Sequence, residues 1–205
     1  MKLIEKIVIA SRNPAKVGYY RTIFTKIAGE VLGLADLNIE GKPAEIGETA
    51  EKNAEIKAKY YAQKTNSLVF CEDGALYTDF LPPDKQPGTR VRRIKGVDEA
   101  SDDQLITYWE EIVSKIPEDK RTGYWHIAYC LAFPNGQVRT TAVDHKVRFF
   151  YPSSKVRIPG WPMSSLEGKL GKPNSERTEE ELRLSKKEAG KVILKKLKEL
   201  LTEIT

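Results

Sequence analysis

The sequence predicts a mixed α/β fold in which helices flank a central sheet, and three observations support this prediction. A β-branched run at residues 6–11 is followed at once by Asn13-Pro14, an N-cap and a first-turn proline. Two strand-like runs are joined by Pro134-Asn135-Gly136, and Asn-Gly is typical of a tight hairpin. Thr178 and Glu181 have the spacing of a capping box before a long C-terminal helix. Strands and helices mixed in this order indicate a sheet covered by helices.

Each element follows from a local pattern. The first helix is expected from Pro14 to about Ala28, because apolar residues recur there at helical spacing. Further helices are expected over residues 50–63, 101–116 and 178–201. Further strands are expected over residues 67–71, 124–133 and 138–150, and proline-rich loops over residues 81–88 and 151–174.

Length and charge limit the classes of partner. The 205 residues are enough for one domain with a sizeable core, so a single domain is expected over residues 1–205. Lys and Arg together number 34 and Asp and Glu together number 29, which gives a net charge of +5. This modest excess suits a polyanionic ligand, but it does not by itself indicate nucleic acid.

The cysteines and the apolar pattern predict a cytoplasmic protein. Cys71 and Cys130 lie in apolar strand-like runs, which is typical of free thiols buried in a reducing compartment. Neither cysteine has the spacing of a zinc site. No run approaches the roughly 18 apolar residues of a membrane span, and the N-terminus has no secretory pattern. Neither membrane insertion nor secretion is therefore expected.

The segment Ser11-Arg12-Asn13-Pro14-Ala15-Lys16 lies at the predicted turn from strand to helix. The start of a helix offers unpaired N–H groups and the positive end of the helix dipole, and both favour a bound phosphate. Ser11 and Asn13 add side-chain donors, and Lys16 lies on the first turn. The alternative is that Asn13 simply caps the helix.

Two further segments carry charged side chains. Residues 45–49 lead into a helix whose Asn53 and Lys57 are four positions apart and share one face, although Lys57 could also be a plain surface lysine. Glu72-Asp73 directly follows an apolar strand, at the strand end where α/β proteins bind ligands. Such carboxylates suit Mg²⁺, which also takes substrate phosphates as ligands. The alternative for Glu72-Asp73 is a solvated acidic turn.

Together these segments resemble the inosine/xanthosine triphosphate pyrophosphatases, enzymes that remove damaged purine nucleotides. Residues 11–16 resemble the opening [T/S]-G-N-x-x-K of that family, and residues 48–58 resemble its E-N-A-x-x-K-A helix. Residues 70–76 are similar to its [ED]-D-S-G-L strand end. Pro87-Gly88 followed by Arg93 resembles its P-G-x-x-[S]-A-R loop. The order and spacing agree from the first strand to this loop.

The resemblance implies roles for particular residues. Glu45 and Asp73 match the metal-binding carboxylates, so Mg²⁺ is the expected cofactor, and Asp73 would also activate water. Glu72 and Lys57 are expected beside Asp73 in the catalytic group. The expected contacts to the triphosphate are Ser11, Asn13, Lys16, Asn53 and Lys57. The resemblance further implies a homodimer, with the site in a cleft between two lobes of each chain.

The C-terminal third departs from the family pattern. Where the family has F-G-[YW]-D-P-x-F beside the base, this chain has Pro159-Gly160-Trp161-Pro162-Met163. Where the family has a lysine and then S-H-R, this chain has Glu181 and Ser185-Lys186-Lys187. Trp161 is the candidate for stacking on the base, or else it is a loop tryptophan that covers the core. Lys187 would supply charge to a phosphate without the planar fork of an arginine.

The expected function is Mg²⁺-dependent hydrolysis of a nucleoside triphosphate to the monophosphate and pyrophosphate. The base is expected to be a modified or deaminated purine, as in ITP, XTP or dITP, with a preference relaxed or redirected by the lost hydrogen-bonding groups. One alternative is a nucleotide sensor on the same fold without turnover. Another is a nucleic-acid-binding domain, which the basic charge permits although no such motif is present.

Overall fold

The computed structural model describes residues 2–94, 96–169 and 171–202, and this part of the chain forms four α-helices and six strands. The mixed α/β class is therefore confirmed. None of the described helices is long and apolar enough to cross a membrane. In chain order the elements are β1 (Ile4–Ile9), α1 (Pro14–Phe24), β2 (Ala28–Gly33), α2 (Ala50–Thr65), β3 (Val69–Thr78), α3 (Asp102–Val113), β4 (Thr122–Ala132), β5 (Val138–Phe149), β6 (Glu167–Gly168) and α4 (Glu179–Thr202).

The strands form one sheet in the order β2-β1-β3-β4-β5-β6. β1 pairs in parallel with both β2 and β3, whereas β5 and β6 are antiparallel. The turn between β4 and β5 lies at the predicted Asn-Gly: Gly136 has a φ of 85°, and its N–H donates to the carbonyl of Phe133 at 2.9 Å. A positive φ of this kind favours glycine, so the sequence signal and the turn geometry agree.

The chain divides into two compact units, each with its own apolar core. Buried side chains of β1, α1, β3, β4 and α4 form the core of the first unit, which includes Ile7, Phe24 and Leu197. The core of the second unit includes Leu105, Trp109 and Phe149. The first unit comprises Met1–Asp73, Ile127–Val143 and Leu184–Thr205, and the second comprises Gly74–His126 and Asp144–Arg183.

Two boundaries differ clearly from the sequence-based expectation, and the short strand β6 lies within the loop expected over residues 151–174. Helix α1 ends at Phe24 instead of continuing to about Ala28, and the missed strand β2 begins at Ala28. Strand β3 does not stop at Cys71 but continues to Thr78. Glu72-Asp73 therefore lies inside a strand, not after its end, and is not a solvated acidic turn.

Several local signals were correct. The capping box at the start of α4 is confirmed: the N–H of Glu181 donates to Thr178 Oγ1 at 3.2 Å, and the N–H of Thr178 donates to Glu181 Oε2 at 2.7 Å. Ser101 forms the same motif at the start of α3. Cys71 and Cys130 are both buried and free, as expected.

The packing of α4 gives a direct test of the first core. Leu197 is fully buried there, whereas Leu184 of the same helix is 47% exposed. Leu197→Ala should lower the free energy of unfolding by about 2–5 kcal/mol, because it leaves a cavity. The control Leu184→Ala should change that free energy by less than about 0.5 kcal/mol. Urea unfolding followed by circular dichroism measures both, and equal losses would contradict this packing of α4.

Candidate active site

Two adjacent carboxylates of β3 each pair with a lysine from a different helix. Successive side chains of a strand point to opposite faces of the sheet, so Glu72 and Asp73 cannot share a partner easily. Lys16 of α1 lies 3.0 Å from Glu72 Oε1, and Lys57 of α2 lies 2.6 Å from Asp73 Oδ2. All four residues belong to the first unit. These pairs explain why the strand continues through two acidic residues, because an unpaired buried charge would destabilise the folded state.

Glu72 is held by two groups. Its side chain is only 7% exposed, and besides Lys16 it accepts a hydrogen bond from the Tyr20 hydroxyl at 2.8 Å. Burial acts to raise the pKa of Glu72, but Lys16, the Tyr20 hydroxyl and the charge of Lys57 outweigh burial and hold the pKa below its ordinary value. Burial and the Glu72 charge in turn raise the pKa of Tyr20 well above its ordinary value. Glu72 is therefore an ionised carboxylate that fixes the Lys16 ammonium.

Lys57 stands between two carboxylates. Its Nζ is 2.6 Å from Asp73 Oδ2 and 3.6 Å from Glu45 Oε2. Burial acts to lower the pKa of Lys57, but Cys71, Asp73 and Glu45 together raise it above the ordinary value. The lysine is therefore charged at neutral pH. The alternative that Lys57 is a plain surface lysine is wrong, because its side chain is only 17% exposed.

Asn53 fixes the loop that carries Glu45. Its Oδ1 accepts a hydrogen bond from the N–H of Gly47 at 2.8 Å, while Thr49 caps α2 by accepting from the N–H of Lys52 at 3.2 Å. A Cβ atom built on Gly47 would lie 2.7 Å from Asn53 Oδ1, so only glycine allows this close approach. Asn53 and Lys57 do lie on one helix face as predicted, but the Asn53 oxygen is occupied by the loop.

The start of α1 is satisfied by its own side chains. Asn13 Oδ1 accepts from the N–H groups of Ala15 at 2.9 Å and Lys16 at 3.4 Å, and Ser11 Oγ accepts from the N–H of Asn13 at 3.2 Å. The capping alternative for Asn13 is thus what the structure shows.

Cys71 adjoins the cluster on β3, which consists of Lys16, Glu45, Lys57, Glu72 and Asp73. It is not a nucleophile. It is buried between the two acidic positions and Ala10, with its Sγ 3.8 Å from the Ala10 carbonyl oxygen. Burial raises the pKa of the Cys71 thiol to about 12, so the thiolate is not populated at neutral pH.

The acidic groups fit a magnesium ion that binds together with a phosphate. Glu45 and Asp73 both lie within 4 Å of the Lys57 Nζ, so this ammonium group holds the position that their oxygens share. Over the described residues there is no group of three or more His, Cys, Asp or Glu side chains placed to hold a metal. Mg²⁺ commonly binds through one or two carboxylates and completes its shell with water and substrate phosphates. The donor set therefore suits a hard cation that substrate helps to hold.

Comparison with known proteins identifies the family to which this chain belongs. The model of the Ham1 family matches residues 7–146, which include every residue of the cluster. The chain belongs to the Ham1 family. The "dITP/XTP pyrophosphatase" of Bacillus cereus (strain ATCC 14579) is 32% identical over 145 residues, covering 70% of this chain and 69% of that protein. The protein of the same name from Exiguobacterium sibiricum is 33% identical over 137 residues, covering 66% and 67%.

Solved Ham1-family structures share the fold. A HAM1 protein from Coxiella burnetii has a TM-score of 0.75 at 20% identity, covering 97% of this chain and 99% of that one. The nucleoside-triphosphatase or dITP/XTP pyrophosphatase from Mycobacterium abscessus has a TM-score of 0.69 at 24% identity, covering 92% and 96%. The resemblance noted in the sequence to the inosine/xanthosine triphosphate pyrophosphatases is confirmed.

Two predicted site residues, Trp161 and Lys187, lie far along the sequence from the cluster on β3. Trp161 belongs to the second unit and is 38% exposed. Lys187 is exposed on α4. Glu181, at the position of a family lysine, pairs with Lys172 at 2.8 Å. Among the residues that the structure describes, no hydrogen bond or ion pair joins Lys187 to the cluster on β3.

Sequence reasoning missed two residues that shape the site. Tyr20 lies one helical turn after Lys16, and this spacing was the signal that both reach Glu72. Arg12, which stands where the family has glycine, donates to the carbonyl oxygens of Ile39 at 3.1 Å and Gly41 at 2.6 Å. No local pattern signals that contact, because it joins residues 27 and 29 positions apart.

The lowered pKa of Glu72 predicts a pH-dependent contribution to stability. A carboxyl whose pKa is lower in the folded state stabilises the fold above its ordinary value of 4.5, and this contribution is lost as the pH falls through the lowered pKa. Glu72→Gln should therefore be less stable than the parent at pH 7, and the difference should shrink towards pH 3. Urea unfolding at several pH values measures this difference. For the exposed control Glu5→Gln the difference should be small at every pH, and a Glu72→Gln effect independent of pH would contradict the ionised pair.

Proposed function

We propose that this Ham1-family chain is a nucleoside triphosphate pyrophosphohydrolase that acts on deaminated purine nucleotides such as dITP, XTP and ITP. The observation that carries the proposal is the cluster on β3, where Glu45, Glu72 and Asp73 lie against Lys16 and Lys57. Acidic groups for a metal and cations for phosphates are thus fixed within one unit. The names of the curated relatives support the same reaction.

The phosphate groups of the substrate are assigned to the start of α1 and the two lysines. Lys16 lies on the first turn of α1, where the helix dipole adds to its charge. Ser11 and Asn13 supply a hydroxyl and an amide group at the same helix end. Asn53 holds the Glu45 loop through Gly47, which makes it a positioning residue in this proposal rather than the substrate contact first expected.

The proposed reaction is attack of a water oxygen on the α-phosphorus. A new P–O bond forms, the bond from the α-phosphorus to the bridging oxygen breaks, and that oxygen leaves with pyrophosphate. Asp73 accepts the proton of the attacking water, and the charged Lys57 lies 2.6 Å from its Oδ2. Glu72 acts through Lys16, whose ammonium it orients toward the negative charge that develops on the leaving group.

Magnesium is the proposed cofactor. Glu45 and Asp73 would hold the ion, and it would supply positive charge to the phosphate oxygens. Because Lys57 faces the same carboxylates, it would share their negative charge with the ion.

The base preference is proposed to be broader than that implied by the family pattern. Trp161 remains the candidate for stacking on the base, and Lys187 remains a candidate cation for phosphate. The hydrogen-bonding His and Arg of the family pattern are lysines here, and a site without such groups discriminates bases less strongly.

A homodimer is proposed as well, and analytical ultracentrifugation at several concentrations tests it.

A panel of pyrophosphate-release assays with and without Mg²⁺ tests the function. It contains ITP, XTP, dITP, the four ordinary ribonucleoside triphosphates and dUTP. We expect Mg²⁺-dependent release of pyrophosphate with deaminated purines among the good substrates. Absence of turnover with every triphosphate would contradict the proposed enzymatic activity. Tight binding of a triphosphate without turnover would indicate a nucleotide sensor. A strong and exclusive preference for ITP and XTP would contradict the broader base preference.

Asp73→Asn tests the assigned proton acceptor. The amide cannot take up the proton of the attacking water, so kcat should fall by about 10²–10⁴-fold. Thermal unfolding confirms that the variant is folded, and Glu45→Gln serves as a second variant of the same carboxylate pair. The exposed control Asp119→Asn should retain full activity. Full activity of folded Asp73→Asn would exclude Asp73 from the reaction.

A further inference from the structure

The segment that carries Glu45 has little packing of its own. The Glu45 loop comprises residues 39–49, which are all described and form neither helix nor strand. Glu45 itself is exposed, and the neighbouring Ile46 is 80% exposed. Burial of apolar side chains therefore contributes little to the position of this loop. Where apolar contacts are few, the polar contacts of a segment decide how easily it moves away from its place.

Hydrogen bonds hold both ends of the Glu45 loop. At its second end, the N–H of Gly47 donates to Asn53 Oδ1 at 2.8 Å. At its first end, the NH2 nitrogen of Arg12 donates to the carbonyl oxygens of Ile39 at 3.1 Å and Gly41 at 2.6 Å. The position of Glu45 between these two ends therefore depends on the side chain of a residue that lies far away in the sequence.

Arg12 joins this loop to the start of α1. It stands between Ser11 and Asn13, the two residues whose side chains are assigned to the substrate phosphates. Tyr61 and Lys64 of α2 also donate to carbonyl oxygens at the first end of the loop, at 3.2 and 3.5 Å. These two bonds are longer than the shorter bond of Arg12, and they come from a different helix. Hydrogen bonds from a charged donor are also stronger than neutral ones.

We propose that Arg12 is a positioning residue that fastens the Glu45 loop to the start of α1 and thereby holds Glu45 in place for the metal ion. Arg12 acts through Glu45, which lies 3.6 Å from Lys57 on its other side. The glycine of the family pattern has no side chain with which to form these bonds. The role toward the ion rests on the proposed function, whereas the fastening of the loop does not.

Amide hydrogen exchange of the nucleotide-free protein, followed by NMR, tests the fastening. Arg12→Met keeps an unbranched stem but removes every donor. The N–H groups of Ile39 and Gly47 are both hydrogen-bonded in the parent. In Arg12→Met both should exchange about three- to tenfold faster, because the loop opens more easily. The amides of Asp102–Val113 in the second unit should exchange at the parent rate.

Titration of pyrophosphate release with Mg²⁺ tests the role toward the ion. In Arg12→Met, Glu45 faces Asp73 for a smaller fraction of the time, and the apparent affinity for a ligand falls with the competent fraction. The Mg²⁺ concentration that gives half the maximal rate should therefore rise by about three- to tenfold. The rate at saturating Mg²⁺ should fall by less than about twofold, because saturation selects the competent position of the loop.

Two matched variants separate the hydrogen bonds from the charge. One nitrogen of Arg12 makes both bonds, and the ammonium of a lysine has three hydrogens to offer. Arg12→Lys should therefore recover most of both changes. Lys26→Met removes an exposed cation of the same unit and should behave like the parent in both measurements. Circular dichroism confirms that each variant is folded.

Four results would overturn the proposal. The first is parent-like exchange at Ile39 and Gly47 in Arg12→Met. The second is faster exchange with an unchanged Mg²⁺ requirement, which would separate the loop from the ion. The third is the same increase in Mg²⁺ requirement in Lys26→Met, which would assign the effect to net charge. The fourth is a lysine variant no closer to the parent than Arg12→Met.

Failure of the proposed function has a different signature from failure of this inference. A parent protein that releases no pyrophosphate from any triphosphate would contradict the proposed function and, with it, the role of Arg12 toward the ion. The exchange measurement uses no substrate and no metal, so it would still decide whether Arg12 fastens the Glu45 loop.

Discussion

The position of the Lys57 ammonium is the constraint on which the rest of the first unit depends. The Asp73 side chain is only 11% exposed and that of Glu45 is 45% exposed, and the two carboxylates would repel each other without a cation between them. With Lys57 2.6 Å from Asp73 and 3.6 Å from Glu45, that repulsion becomes attraction. The same contact ties α2 to β3 and to the Glu45 loop. Removing one partner would leave a buried charge uncompensated, which is more damaging than the loss of a surface pair.

The Lys16–Glu72 pair repeats this solution on the opposite face of β3. The alternation of side chains along a strand lets one acidic dipeptide serve two helices, and each helix supplies one lysine from its inner face. The Tyr20 hydroxyl also donates to Glu72, and Cys71, next to this acidic dipeptide in β3, is a neutral thiol. The site is therefore two ion pairs built around one strand rather than a single acidic loop, and this explains how charged residues occupy the interior of β3.

Local patterns predicted the elements whose signals are local, and missed those that depend on distant residues. The α1 cap, the capping box of α4 and the Asn-Gly hairpin were all visible as short motifs. Strand β2 was missed because AGEVLG contains two glycines and few β-branched residues, and its order comes from pairing with β1. The end of β3 was placed too early because two acidic residues resemble a turn until their lysines are known. The site followed the same rule: residue types were predictable, whereas the Arg12 contact to residues 39 and 41 was not.

Similarity to the Ham1 family extends over a shorter part of the chain in sequence than in fold. The Ham1-family match ends at residue 146, although the shared fold covers 97% of the chain in the Coxiella burnetii structure. The C-terminal third thus keeps its architecture while its side chains have changed. Packing tolerates such change as long as volume and pattern are kept, whereas hydrogen bonds to a base do not, because each requires a specific donor or acceptor. The ion pairs of β3 lie within the matched region, whereas Trp161, Lys186 and Lys187 lie outside it. The sequence similarity to the family therefore bears on the ion pairs and not on these three residues.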